Sequence, residues 1–194
     1  LWIAALIGVA MACASDKTDE GDILFESGQY EEAVVAYTEY LDIQPRNIKT
    51  LYNRGRAEEE LGNLDLAMVD YESVLTLDPD HVKARLSVGN IKFKEGDYQK
   101  ALYEFDIVVL KHRQNDQAIM FRGKANQKLG NLREALQDYN EAIQINAQNG
   151  AAYLYRGTLN IHNKRKTAAC KDFTRANELG VADAEKALAK YCKR

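Results

Sequence analysis

The side chains with the reach to do chemistry in this 194-residue chain are few: three histidines, three cysteines and a recurring set of Arg and Asp residues. His81, His112 and His162 are scattered, and none has Cys or carboxylate company at the spacing a metal ion needs. No glycine-rich phosphate loop follows a strand, and no Ser or Cys is paired with a His in a recognisable nucleophile motif. The acidic run Glu58-Glu59-Glu60 reads as a solvated helix face rather than an acid–base dyad. No catalytic residue, metal or cofactor is therefore assigned, and enzyme activity is not expected.

The Arg and Asp residues behave differently, because they appear and vanish together. Arg54, Arg122 and Arg156 each directly precede a glycine that recurs along the chain. Asp70, Asp138 and Asp172 each directly precede a recurring aromatic, and where one partner is missing so is the other: Glu20 with Ala36, Val88 with Glu104. Joint occurrence predicts contact, a guanidinium bridging two helices to a carboxylate as a partly buried ion pair. The competing reading is a row of ligand-binding arginines.

The elements that must hold these residues are helices. Residues 48–81 form two amphipathic segments with apolar residues three and four apart, broken at Gly62 and stopped before Pro79. Two helices this short cannot bury their apolar face alone, so the pair requires neighbours. The same pattern recurs with a period of 34 residues. Gly21, Gly55, Gly89, Gly123 and Gly157 mark one place in it, and Ala33, Ala67, Ala101, Ala135 and Ala169 a second. Gly28, Gly62, Gly96 and Gly130 mark the turn, which fails only at Lys164. Tyr37, Tyr71, Phe105, Tyr139 and Phe173 mark the aromatic. Small residues let helix backbones approach, and the aromatic fills the gap they leave.

A helix–turn–helix of this period and pattern resembles the tetratricopeptide repeat family. The resemblance covers residues from about 14 to 181 and implies an all-α fold, a right-handed superhelical solenoid of five repeats with a capping helix. The repeats fall at about 14–47, 48–81, 82–115, 116–149 and 150–183. The first is expected to be frayed at its amino-terminal helix, where Lys17 and Glu20 replace apolar residues. The cap is residues 182–194, whose Ala184, Ala187, Leu188 and Tyr191 share one face. The basic turn Asn163-Lys164-Arg165-Lys166 departs from the family and reads as solvated rather than as a contact patch.

Such proteins hold an extended or helical peptide in a concave groove lined by the first helix of each repeat. Carried over repeat by repeat, that groove presents Tyr52, Arg56 and Glu59, then Leu86, Asn90 and Phe93. Met120, Lys124 and Gln127 follow, then Leu154 and Thr158. Several of the apolar ones are equally open to packing between repeats. The family's clamp for chaperone carboxylates falls on Thr18, Asp22, Asn53, Lys83 and Ser87, where only Asn53 and Lys83 match and Asp22 would repel the ligand. A protein or peptide partner is implied. A net charge of −3 and a pI near 5.7 argue against nucleic acid.

Residues 1–13 stand outside the repeat: apolar, uncharged, too short to span a bilayer and of signal-peptide length. No Met or basic segment precedes Leu1, so the recorded chain is expected to be truncated. Ala10-Met11-Ala12-Cys13 resembles a bacterial lipoprotein cleavage site, with Ala12 and Cys13 matching and Ala10 where that family prefers Leu. Lipidation of Cys13 would put the protein on a bacterial cell envelope, facing the periplasm or exterior and touching the membrane by its lipid anchor only. Secretion and an uncleaved anchor are the alternatives. The two other cysteines, Cys170 and Cys192, lie equidistant from the turn at Gly180-Val181, and antiparallel helices leaving that turn bring them to one level. Either they form a disulfide stapling the cap, or they are two small buried residues beneath it. The function implied is a scaffold that recruits envelope proteins, or else an accessory or regulatory subunit of an envelope enzyme complex.

Overall fold

The computed structural model describes residues 18–192, which form helices joined by short turns, with no strand among them. The first helix, α1, is described over 18–26. It is followed by α2 (Tyr30–Ile43), α3 (Ile48–Glu60), α4 (Leu64–Leu77), α5 (Val82–Lys94) and α6 (Tyr98–Lys111). Then come α7 (Asp116–Lys128), α8 (Leu132–Ile145), α9 (Gly150–His162), α10 (Lys166–Glu178) and α11 (Ala182–Tyr191). The fold class is all-α, built of helix pairs that recur with the 34-residue period. The chain divides into two compact units, Leu1–Val88 and Gly89–Arg194.

Each hairpin starts and turns in the same way. The first helices of repeats two to five are capped at one place in the period, by Asn47, His81, Asn115 and Asn149. Each accepts from the backbone N–H three residues on, at 2.9–3.1 Å. His81 is thus the third-repeat counterpart of three capping asparagines, its Nδ1 serving as the acceptor. Within the hairpins the turn residue has positive φ, 82° at Gly62 and 84° at Gly130, and Lys164 adopts φ 59° in the fifth repeat.

The packing follows from the small residues. Ala33, Ala67, Ala101, Ala135 and Ala169 are wholly buried, and the recurring aromatics Tyr37 to Phe173 are at most 1% exposed. The glycine beneath each ring leaves no room for a side chain: a Cβ would lie 2.8 Å from the Tyr71 ring at Gly55 and 2.5 Å from the Phe105 ring at Gly89. Over residues 18–26 the helix of repeat one is regular rather than frayed. Gly21 sits against Tyr37 as its counterparts do, and Leu24 and Phe25 pack on the Ala33, Tyr37 and Ala57 cluster.

Candidate peptide-binding site

In the carboxy-terminal unit the first helices α5, α7 and α9, with α11, line a pocket of about 550 Å3. Its walls include Phe93, Lys124, Gln127, Leu154 and Thr158, five of the residues the sequence assigns to a groove, together with Lys128, Tyr155, Asp183 and Ala187. Lys124 is the centre of it. Its ammonium stands 4.8 Å from the Phe93 ring centroid, 5.3 Å from Phe121 and 4.9 Å from Tyr155, a cation enclosed by three ring faces. Lys128, one turn on, lies 5.9 Å from the Tyr98 ring. Gln127 accepts the Tyr139 hydroxyl at 2.7 Å through its carbonyl oxygen, leaving its amide N–H groups as donors. The Thr158 hydroxyl donates to the Leu154 carbonyl.

The amino-terminal unit has its own pocket, of about 630 Å3, lined by Lys49, Tyr52, Asn53, Arg56, His81 and Lys83 with Ile48 and Val82. Tyr52 is held between the Tyr71 ring at 5.6 Å and the His81 ring at 5.2 Å, and the Arg56 guanidinium lies 4.3 Å over Phe25. Asp22 gathers the donors here: the Tyr37 hydroxyl at 2.8 Å, Lys49 at 2.7 Å and the Asn53 amide at 2.8 Å. Burial pushes this carboxyl up, but the hydrogen bonds from Lys49, Tyr37 and Asn53 outweigh it and hold the group below its ordinary 3.8. Asn53, one of the two residues matching the chaperone clamp, is therefore already occupied by a carboxylate of this chain.

Two of the residues read as groove-lining are core instead. Leu86 is 7% exposed and Met120 4%, each buried among its neighbours and unable to anchor a ligand. Asn90 is half-buried and lines neither pocket, and Glu59 accepts the Tyr71 hydroxyl at 3.1 Å. Two Tyr hydroxyls thus reach residues twelve positions earlier, Glu59 and Gln127. Where the aromatic is Phe, that earlier place holds Phe93 or Ile161, and in repeat one, where it holds Phe25, the Tyr37 hydroxyl turns to Asp22 instead.

The Arg and Asp couples are ion pairs inside their own hairpins. Arg54 donates to both Asp70 oxygens at 2.7 and 2.8 Å, and Arg156 to both Asp172 oxygens at 2.6 and 3.1 Å. Arg122 places both its contacts, 2.5 and 3.1 Å, on one Asp138 oxygen, while the Asn126 amide takes the other at 3.1 Å. Each arginine also extends its remaining arm to the second helix of the preceding repeat. Arg54 reaches Thr38 at 3.2 Å, Arg122 reaches Asp106 at 3.4 Å and Arg156 reaches Asn140 at 2.8 Å. One planar fork thus ties three helices, and its geometry is that of a structural brace, with no arm turned to a ligand. Burial pushes the Asp138 carboxyl up, against the downward pull of Arg122 and Asn126.

Cys170 of α10 and Cys192, which ends α11, are joined in a disulfide, with Cα atoms 5.7 Å apart. Tyr191 stacks on Phe173 at 6.1 Å beside it. The same helix supplies Asp183 and Ala187 to the pocket wall. No group of metal-ligating residues occurs among the described residues. Cys13, the assigned lipid site, lies outside them, as does residue 17.

Comparison with known proteins matches residues 21–62 to a family model described as TPR repeat. Residues 48–81 and 122–184 match two models described as Tetratricopeptide repeat. No curated protein matches the sequence. Among solved structures, MamA (41-end) from Desulfovibrio magneticus RS-1 superposes with TM-score 0.76 at 23% identity, covering 86% of this chain and 94% of that one. A further MamA crystal structure has TM-score 0.72 at 23% identity, with 93% and 96% covered. TTC0263, described as a thermophilic TPR protein in Thermus thermophilus, has TM-score 0.74 at 16% identity, with 92% and 98% covered. At these identities the likeness is one of fold.

Proposed function

The chain is a tetratricopeptide-repeat protein, and from that premise we propose that it is a non-enzymatic scaffold that captures a segment of a partner protein on the face of its first helices. The observation that carries this is the carboxy-terminal pocket: an apolar floor, Phe93, Leu154 and Tyr155, rimmed by groups able to hydrogen-bond, Lys124, Gln127 and Thr158. A few apolar anchors among directional polar groups are what a peptide segment needs in order to bind in one register. No large rearrangement is required, since the walls are helices already braced by ion pairs.

The protein acts at a bacterial cell envelope, held there by lipid on Cys13. The apolar stretch ending in Ala12-Cys13 supports this reading. So does the Cys170–Cys192 disulfide, which belongs to an oxidising compartment.

A photo-crosslinking residue placed at position 158 tests the capture, with position 171 on an exposed face of α10 as the control. Adducts in intact membranes should form from 158 and not from 171. Adducts from 171 alone would move the contact to the second helices. Anchoring is read separately: Cys13→Ser should abolish incorporation of labelled fatty acid and shift the protein from the membrane fraction.

A further inference from the structure

We infer that the carboxy-terminal pocket selects an acidic side chain flanked by apolar ones, within a partner's chain rather than at its end. The inference rests on the capture reading above and adds the chemistry of what is captured. Lys124 and Lys128 are cations for which no carboxylate partner exists among the described residues, in a chain whose net charge is −3. Asp183, the acidic residue on the rim, is bound by Lys186 at 3.0 Å. Four other bases of this unit are paired with acids: Arg122 with Asp138, Arg156 with Asp172, Lys100 with Asp97, Arg175 with Glu178. In the pocket two lysines stand together without such a partner, against an apolar wall.

The setting of Lys124 makes the vacancy useful. Ring faces attract the ammonium but accept none of its hydrogens in the way an oxygen does, so its three N–H donors stay available while its position is fixed. Holding the side chain beforehand removes part of the rotamer entropy that a free surface lysine loses on pairing. The Gln127 amide adds a neutral donor beside it. Around these lie Phe93, Leu154 and Tyr155, which suit apolar side chains on either side of a carboxylate. A bare anion would leave that floor wet, and an apolar segment without a carboxylate would cover two lysines without pairing them. The floor and the cations are satisfied together only by an acidic residue in an apolar context.

The test uses the full chain in detergent micelles and three fluorescent peptides, acetylated and amidated so that no free terminus contributes. Each has one central residue between two Leu in a Gly/Ser background; that residue is Glu, Gln or Lys. The Glu peptide should bind about tenfold more tightly than the Gln twin, as expected for a charge-assisted hydrogen bond, and the Lys peptide more weakly than either. Lys124→Met with Lys128→Met should erase the Glu preference, and raising salt should shrink it. Should the Lys124 change disturb the aromatic cage, Lys128→Met alone, on an exposed residue, should still reduce the ratio. Equal binding of Glu and Gln peptides, or a preference that survives both substitutions, overturns the inference. If equal binding is abolished by Thr158→Trp, which fills the pocket, capture stands and only the acidic preference falls. If no peptide binds, the acidic preference falls too, and crosslinking from position 158 decides the capture reading on its own.

Discussion

Asp22 and Lys124 stand at the same place in the 34-residue period, three repeats apart, and repeats one and four treat that place in opposite ways. In repeat one it is a carboxylate that collects Tyr37, Lys49 and Asn53 and is satisfied within the chain. In repeat four it is a cation held by rings, with its hydrogens still available. Repeat two places a cation there as well, Arg56, 4.3 Å over the Phe25 ring. Repeat one uses the position to hold itself together, and repeat four keeps it open. Both units carry Arg–Asp braces, Arg54 with Asp70 in the first and two such pairs in the second, and the second adds a disulfide.

The sharpest way to break the comparison is to remove a brace. Asp138→Ala leaves Arg122 with only the longer contacts to Asp106 at 3.4 Å and Glu141 at 4.0 Å. Because the Arg122 side chain is 22% exposed, the stranded charge is partly solvated, and the expected loss is about 2–4 kcal/mol. Denaturant unfolding of the parent and variant measures it. A variant that unfolds with the parent would show that the braces carry nothing.

Opening the disulfide should come next. The bond closes a loop with a sequence separation of 22 residues, for which loop entropy gives about 3 kcal/mol. The effect should be local, since α11 packs mainly on α10 through Tyr191 and Phe173. Hydrogen exchange after Cys192→Ser should rise in α11 and leave α3 and α4 unchanged. Uniform acceleration along the chain would contradict a local staple.

These supports differ in how far the sequence discloses them. The glycine, alanine and aromatic lattice was legible because a fixed 34-residue spacing repeats five times, and the Arg–Asp couples because they vanish together. The third arm of each arginine was not, since Thr38, Asp106 and Asn140 share a place in the period but no residue type. The internal role of Asp22 was not legible either, because Lys49 and Asn53, 27 and 31 residues away, belong to no recurring pattern. Leu86 and Met120 sit at the place of Tyr52 and Leu154, and periodicity names a helix face without saying how deeply its neighbours cover it. Pairwise regularity survives in sequence; depth of cover depends on the shape of what packs alongside.

Acid should separate the units in a smaller way. The Asp22 carboxyl is held below 3.8, so the folded state binds its proton less tightly than the unfolded chain. Its contribution is full above that pH and is lost as pH falls through the depressed value. Asp22→Asn should cost about 1 kcal/mol at pH 7, a modest figure because the pair with Lys49 is exposed on the lysine side. The gap between variant and parent should close as the pH falls through that depressed value. A gap that persists there would show that Asp22 acts through packing rather than charge.

The smallest expected change is a gain. In the amino-terminal unit the hairpin turns at residues 28 and 62 are glycine with φ of 78° and 82°, and in the carboxy-terminal unit Gly96 and Gly130 match them. Lys164 alone holds that place without being glycine, at φ 59°, where the Cβ of an L-residue crowds the following carbonyl. The residue is exposed and its side chain makes no contact that glycine would forfeit among the described residues. Relief of the crowding is offset in part by the extra freedom glycine gives the unfolded chain, leaving a net gain of about 0.5–1 kcal/mol for Lys164→Gly. The reverse change, Gly130→Lys, should cost a similar amount at an equally open turn, where a side chain meets nothing within 4 Å. Opposite shifts in denaturation midpoint of comparable size are the expected pair. If Lys164→Gly destabilises instead, the lysine is contributing something at that turn, and the basic run Lys164-Arg165-Lys166 becomes a contact rather than a solvated loop.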